Sequence, residues 1–253
     1  MHLRTSNLAI GLLRSVAAAV LRLLCRVDVH GLQHLRAAGP RVMLVANHPS
    51  LIDGLLLFLF VPLTPVFAVS PATARRRWLR LLLRFVDWHE LDTLNPGAIK
   101  SLTHVLREGR ALMIFPEGRV ASGAALMKVY EGAALIAEHA EAEILPVAID
   151  GPQYSRWSGL RGKVRQSWWP RITLTVLPAR RLEVPAEVRG SERRAHAADA
   201  LLRAMLEVSY TAGYHHETLF AAVVRAARNH GMRQYVLEDV TGARLCYRDL
   251  LTR

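Results

Sequence analysis

The stretch Asn47-His48-Pro49-Ser50-Leu51-Ile52-Asp53 carries the residue types best suited to moving a proton. Histidine is the side chain that changes charge near neutral pH. A carboxylate accepting its Nδ1–H fixes the tautomer and leaves Nε2 as a general base. Asp53 follows His48 by five residues. In a continuous helix that spacing sets the two about 140° apart, so contact requires His48 to sit on the turn before the helix. Asn47 is a capping type, Pro49 suits a first helical turn, and exposed helix N–H groups there favour negative charge. No serine or cysteine pairs with the histidine along the chain, which favours direct deprotonation of a substrate hydroxyl over a covalent intermediate. Read alone, His-x4-Asp is also what a capped turn with a surface pair looks like. A second constellation is Ile114-Phe115-Pro116-Glu117-Gly118-Arg119. Gly118 permits close backbone approach, and the Arg119 guanidinium fork matches a phosphate or carboxylate. Glu117 is placed to orient that arginine or a substrate amine. Read alone, this is equally a strand-end turn with a solvated salt bridge.

Both constellations need strand ends to hold them. Arg41 to Ala46 carries an apolar run bounded by Pro40 and Asn47, and Ala111 to Phe115 carries another that stops at Pro116. Each predicts a buried strand that delivers its motif from the carboxyl end, where open α/β sheets place ligands. Ile144–Ile149 and Ile172–Leu177 predict two more strands. Helical patterns over Leu51–Phe60, Arg76–Phe85, Pro96–Arg107 and Ala124–His139 separate the first three. This alternation predicts an α/β fold with a mostly parallel central sheet flanked by helices. Pro178 to Ser191 is rich in proline, glycine and charge and reads as an exposed connection. A helix over Ser191–Ser209, a linker over Thr211–His216 and a tail follow. The tail reads as a short helix, a strand-like Gln234–Glu238 and a turn at Thr241-Gly242, too little for an independent domain.

Composition bounds the partners. With 51% hydrophobic residues in a chain of 253, a sizeable core is available and a wholly disordered chain is excluded. The net charge of +12 points to an acidic partner: anionic lipid, nucleic acid or an acidic carrier protein. Gly151 to Leu182 has no acidic residue but holds Arg156, Arg161, Lys163, Arg165, Arg171, Arg180 and Arg181, with Trp157, Trp168 and Trp169 interleaved. Such a mixture suits an anionic membrane interface, an acidic carrier protein or a nucleic acid, and it is also what a solvated basic face over core tryptophans looks like. Arg76, Arg77, Arg80 and Arg84 cluster on one helical face. Cys25 and Cys246 lie far apart without ligand spacing, so neither a metal site nor a disulfide framework is expected. A helix over Leu8–Val27 places Arg4, Arg14, Arg22 and Arg26 within an arc of roughly 120°, opposite Leu, Ile, Val and Ala, as in a helix lying in a bilayer interface. An amphipathic helix packed on its own domain has the same pattern. Arg14 and Arg22 interrupt any signal-peptide core. Leu55 to Val69 is short and carries Pro62 and Pro65, which favours a core helix and loop over a membrane span.

The two motifs in order, with Ile144-Leu-Pro-Val-Ala-Ile149 as a later block, make residues from Pro40 to Leu177 resemble the glycerolipid acyltransferase family. Phe85–Asp92, Asn95-Pro96 with Ile99-Lys100, Leu126–Ala133 and Trp169–Leu174 are similar to one branch of it, in which a 2-acylglycerophosphoethanolamine acyltransferase is joined to an acyl-acyl-carrier-protein synthetase. The resemblance implies His48 and Asp53 as catalytic residues. It implies Asn47, Glu117, Gly118, Arg119, Lys128 and Pro146 as substrate-binding residues, with Glu117 to Arg119 at the acceptor's phosphate. It implies no cofactor beyond an acyl thioester co-substrate, carried by acyl carrier protein or coenzyme A. The acceptor it implies is a lysophospholipid at a membrane surface, 2-acylglycerophosphoethanolamine first and 1-acylglycerol 3-phosphate as the alternative. The place it implies is the cytoplasmic side of the inner membrane, peripheral or monotopic, with no nucleic acid expected. A non-catalytic basic module for membrane or nucleic acid is the alternative of another class. Residues 1–211 would be the acyltransferase domain, with 1–30 its interfacial helix. Residues 212–253 resemble a linker and the opening of an adenylate-forming domain, dispensable for acyl transfer. Two departures bear on the acceptor: Trp88 stands where the family often has an arginine, and Arg119 follows Gly118 without an intervening threonine. Both fit a phosphodiester lysolipid.

Overall fold

In the computed structural model, residues 7–92, 95–121, 126, 128–160, 163–185, 187–213 and 218–252 are described. Helix α1 (Asn7–Cys25) leads into β1 (Val27–His30), α2 (Gln33–Ala37) and β2 (Val42–Ala46). Then come α3 (Asp53–Phe60), β3 (Val66–Val69), α4 (Pro71–Ala74), α5 (Arg77–Leu82) and β4 (Trp88–Glu90). The middle continues through α6 (Pro96–Arg107), β5 (Leu112–Ile114), α7 (Glu131–His139) and β6 (Glu143–Asp150). A 3-10 turn at Pro152–Tyr154 precedes β7 (Ile172–Val176) and α8 (Gly190–Gly213). The chain closes with α9 (Leu219–His230), β8 (Tyr235–Glu238), β9 (Arg244–Cys246) and α10 (Tyr247–Thr252).

The main sheet runs β1-β7-β6-β2-β5-β3-β4. Every neighbouring pair is parallel except β6 with β7. This is the expected α/β architecture with a mostly parallel sheet. β2 lies at its centre because all five of its residues are apolar and can be buried on both faces. Its side chains alternate between two cores. Met43 and Val45 join α6, α7 and α8, while Val42, Leu44 and Ala46 join α1 and α3. Fully burying a Leu such as Leu56 or Leu102 contributes about 1.5–3 kcal/mol. The two helical layers therefore pin the sheet whose carboxyl ends carry the motifs.

Several sequence expectations need correction. Helix α3 starts at Asp53, not Leu51, so Pro49 lies outside it. The reason is the chain before it: Ser50 bridges to Ser158 and the Leu51 N–H donates to Trp157 O. Helix α7 starts at Glu131, and Leu126 and residues 128–130 are not helical. The expected start, Ala124, lies outside the described residues, as do Arg4, Arg161, His215 and His216. β1, β3 and β4 were not expected. They are three or four residues long and gain their hydrogen bonds only from neighbouring strands. α8 continues past Ser209 to Gly213, through the start of the expected linker.

The arginine stripe of α1 faces the protein. Arg14 donates to the carbonyls of Leu59 (3.5 Å) and Val61 (2.5 Å), at the carboxyl end of α3. Its guanidinium also lies 5.4 Å from the Phe58 ring, and Arg22 lies 5.4 Å from Phe60. A cation there satisfies end carbonyls that the helix leaves unpaired. The opposite arc, Leu12, Leu13, Val16, Val20, Leu23 and Leu24, is exposed. Among the described residues no helix is long and apolar enough to cross a membrane.

Candidate active site

His48 sits on the loop between β2 and α3, not in the helix, and this removes the angular problem its spacing poses. Its Nδ1 lies 2.8 Å from Asp53 Oδ2. The same oxygen accepts from the Ser50 N–H at 2.7 Å. Asp53 is fully buried in the first turn of α3, where the helix dipole favours a carboxylate. Its Oδ1 has no hydrogen-bond partner among the described residues. Burial pushes the Asp53 carboxyl above the ordinary range, and the charge of Glu117 adds a little. The hydrogen bond and charge of His48 and the Ser50 N–H pull it back. With Nδ1 engaged, Nε2 is the ring nitrogen left for chemistry.

The second motif closes on the first. Glu117 is buried, and its Oε1 accepts from the His48 backbone N–H at 3.1 Å across 69 positions of sequence. The Phe115 ring stacks on the imidazole, with centroids 4.0 Å apart and planes inclined by 14°. The Ala121 N–H donates to His48 O at 2.8 Å. So the loop after β5 clamps the loop after β2 by backbone, carboxylate and ring. Gly118 has φ of 67°, a left-handed conformation, and a Cβ there would come within 3.0 Å of the Tyr130 ring. Tyr130 in turn donates its N–H to Pro116 O at 2.9 Å.

Asn47 does not cap a helix. Its side-chain amide donates to Ile149 O and accepts from Ile149 N–H, both at 2.8 Å, which ties β2 to β6. Asn47, His48 and Glu117 line one cleft, while Asp53 lies buried behind His48. The other expected substrate-binding residues do not line it. Pro146 is buried within β6, paired with Val45, and its carbonyl accepts from Leu177. Gly118 and Arg119 are exposed, and Lys128 is exposed with its ammonium 5.6 Å from the Tyr130 ring. Trp88 lies in edge strand β4, three strands from β2.

The cleft also holds residues not singled out from sequence. Asp150 ends β6 and Gln153 and Tyr154 follow it, with Gln153 Nε2 donating to Asp150 Oδ1 at 2.5 Å. The strand-end rule applied to β6 would have flagged Asp150. Arg225 and His230 come from α9, far along the chain, and no local signal marks them. The tail that carries them is docked. Ala227 is buried, the Arg165 N–H donates to Asn229 O at 2.5 Å, and His230 Nδ1 lies 3.4 Å from Lys163 O. The basic stretch on either side of β7 is partly neutralised, with Arg171 paired to Asp28 and Arg180 to Glu207. Arg156 stacks over Trp168 at 4.2 Å, and Trp168 and Trp169 are exposed. Among the described residues, no three of His, Cys, Asp and Glu gather as a metal-ligand cluster.

A buried Asp behind a strand-end His, clamped by a Glu-Gly-Arg turn from the next strand, places the core of this chain in a known class. Residues 26–150 match the family model described as Acyltransferase, and this part of the chain belongs to the acyltransferase family. Over 118 residues the chain is 27% identical to a probable 1-acyl-sn-glycerol-3-phosphate acyltransferase of Mycoplasma pneumoniae, covering 44% of each protein. Over 93 residues it is 30% identical to the 1-acyl-sn-glycerol-3-phosphate acyltransferase of Bacillus subtilis, covering 36% of this chain and 46% of that one. The matched region thus spans less than half the length of these curated relatives. The crystal structure of the 1-acyl-sn-glycerophosphate acyltransferase of Thermotoga maritima superimposes with a TM-score of 0.55 at 19% identity, covering 85% of this chain and 86% of that one. That likeness establishes the shared fold.

Proposed function

We propose that this protein transfers a fatty acyl group from an acyl thioester to the free hydroxyl of a lysophospholipid. The observation that carries the reading is the 2.8 Å contact of His48 Nδ1 with buried Asp53 at the mouth of the cleft. His48 Nε2 takes the proton of the acceptor hydroxyl as its oxygen attacks the thioester carbonyl. The new C–O bond forms, the C–S bond breaks, and the imidazolium returns the proton to the leaving thiolate. Asp53 holds the tautomer and faces the positive charge that develops on the ring.

The acceptor has two supported readings. Trp88 in place of an arginine and Arg119 directly after Gly118 support a phosphodiester headgroup, 2-acylglycerophosphoethanolamine. The names of the two curated relatives support 1-acylglycerol 3-phosphate. The exposed apolar arc of α1, with its arginines turned onto the body, supports a monotopic or peripheral place on a membrane surface, and the reading puts that surface on the cytoplasmic side of the inner membrane. The donor is coenzyme A or acyl carrier protein. A panel of both lysolipids with both thioesters assigns the substrates. His48→Ala is expected to lower kcat by about 10²–10⁴-fold with the circular dichroism spectrum unchanged. Near-normal turnover in the folded variant would refute acid–base catalysis by His48.

A further inference from the structure

We infer that Trp157, Trp168 and Trp169, with Arg156, form a membrane contact separate from α1, one that seats the cleft end of the sheet on an anionic bilayer surface. The inference goes beyond the acyl-transfer reading and rests on it only for the need to meet a lipid. The indoles of the basic stretch before β7 could serve as core or as surface. They are surface: Trp157, Trp168 and Trp169 are 39%, 53% and 51% exposed. The Arg156 guanidinium lies 4.2 Å from the Trp168 ring, and Trp157 meets the same ring edge-on with centroids 6.3 Å apart. Trp169 follows, its N–H held by the Ser167 hydroxyl at 3.1 Å. Indole and guanidinium thus make one exposed platform.

Backbone bonds fix the platform beside the cleft. Trp157 O accepts from the N–H of Leu51, on the loop between His48 and Asp53, at 3.1 Å. The Ser167 N–H donates to Tyr154 O at 2.8 Å, and Tyr154 lines the cleft. Sheet register gives the same placement. Ala46, which ends β2, pairs with Val147, and Asp150, which ends β6, pairs with Thr173 near the start of β7. Val27, which starts β1, pairs with Ile172. The carboxyl ends of β2 and β6 and the amino ends of β7 and β1 therefore share one end of the sheet. His48 leaves the sheet there, and Trp168-Trp169 lead into β7 there. The last turn of α1, with exposed Leu23 and Leu24, leads into β1 at the same end.

An anionic lipid surface is the partner this chemistry fits. Indole settles at the headgroup layer, its ring toward the chains and its N–H toward water. Arginine beside it adds attraction to anionic headgroups. Gly151 to Leu182 holds no acidic residue, within a chain of net charge +12. An acidic carrier protein would call for open cations, but Arg171 and Arg180 are already paired to Asp28 and Glu207, and Arg156 lies on an indole. Ring surface, not open charge, is what the platform mainly presents.

The test uses the full chain with vesicles of phosphatidylcholine, with and without phosphatidylglycerol. Trp168→Ala combined with Trp169→Ala is expected to weaken co-sedimentation with the anionic vesicles more than about tenfold, as loss of buried ring surface does. Arg156→Ala is expected to weaken it by about fivefold and to leave binding to phosphatidylcholine alone unchanged. In both variants kcat on a short-chain, monomeric lysolipid is expected to stay at the wild-type value. The chain has five tryptophans. Brominated phosphatidylglycerol is expected to quench their emission, and Trp168→Phe combined with Trp169→Phe, which keeps ring bulk, to lose most of that quenching. Absence of vesicle binding by the wild type, or wild-type affinity in the double alanine variant, overturns the inference. So does quenching that survives the phenylalanine replacements in full. Equal binding of the wild type to both kinds of vesicle removes an anionic surface as the partner. A raised KM for the acyl-carrier-protein thioester with vesicle binding intact would assign the platform to the carrier protein and overturn the inference too. Absence of acyl transfer in the wild type refutes the acyl-transfer reading alone, since vesicle binding through the platform needs no turnover.

Discussion

The hydrogen bond from the His48 N–H to Glu117 Oε1 makes the two motifs one device, and it can be cut from one side. Glu117→Ala removes a charged acceptor from a partly buried N–H. A hydrogen bond to a charged group contributes about 1.5–3 kcal/mol. At roughly 2–4 °C per kcal/mol for a chain of this size, the melting temperature should fall by about 3–12 °C. The kinetic effect should be separate from that. The clamp fixes where the imidazole sits, and misplacing a catalytic group by about 1 Å can cost on the order of 10²-fold. We expect kcat to fall by about that factor with the acceptor KM nearly constant. Glu117→Gln keeps an oxygen at the same place and should recover kcat to within about tenfold, since a neutral acceptor still contributes about 1 kcal/mol. It also removes a negative charge that pushes the Asp53 carboxyl upward. Thermal melting and steady-state kinetics of the three proteins check this. Wild-type melting and kcat in Glu117→Ala would refute the clamp. Equal damage in Glu117→Gln would show that charge, not the hydrogen bond, matters. A change in KM with kcat intact would place Glu117 against substrate.

Two further outcomes follow from the same geometry. Asp53 is held above its ordinary range by burial, so its folded form binds the proton better than the unfolded chain does. Stability from that proton is present below the unfolded value of about 3.9 and is lost as pH rises through the raised folded value. Asp53→Asn, which does not titrate, should therefore gain stability relative to wild type as pH rises across that window while losing most activity; denaturant melts at pH 3 to 7 would contradict this if the gap stayed constant. Leu12→Asp with Leu23→Asp places two charges on the exposed arc of α1, and binding to anionic vesicles should weaken more than tenfold, since each Leu buried contributes about 1.5–3 kcal/mol. Unchanged co-sedimentation would remove α1 from the membrane contact.

The elements whose signals are local could be read from the residues alone. The five apolar residues before Asn47 read as the buried strand that β2 is, and the Pro96–Arg107 helix begins with an Asn cap and a proline, as its sequence shows. The contact between His48 and Asp53 was legible because they lie five residues apart, with His48 on the loop that leads into the helix Asp53 begins. Glu117 stood out by its place after a strand end, but its partner did not, since nothing local says that its carboxylate will reach the His48 backbone 69 residues away. The edge strands β1 and β4 are too short to show a period, and their pairing with β7 and β3 exists only once the sheet forms. The direction of the α1 arginines was a tertiary decision too: the periodicity defines two faces, and only the open carbonyls at the end of α3 decide which one turns inward. The same holds for α9. Its amphipathic pattern says that one face will be covered, but the docking of Asn229 and His230 on the segment before β7 is what brings Arg225 to the cleft of His48.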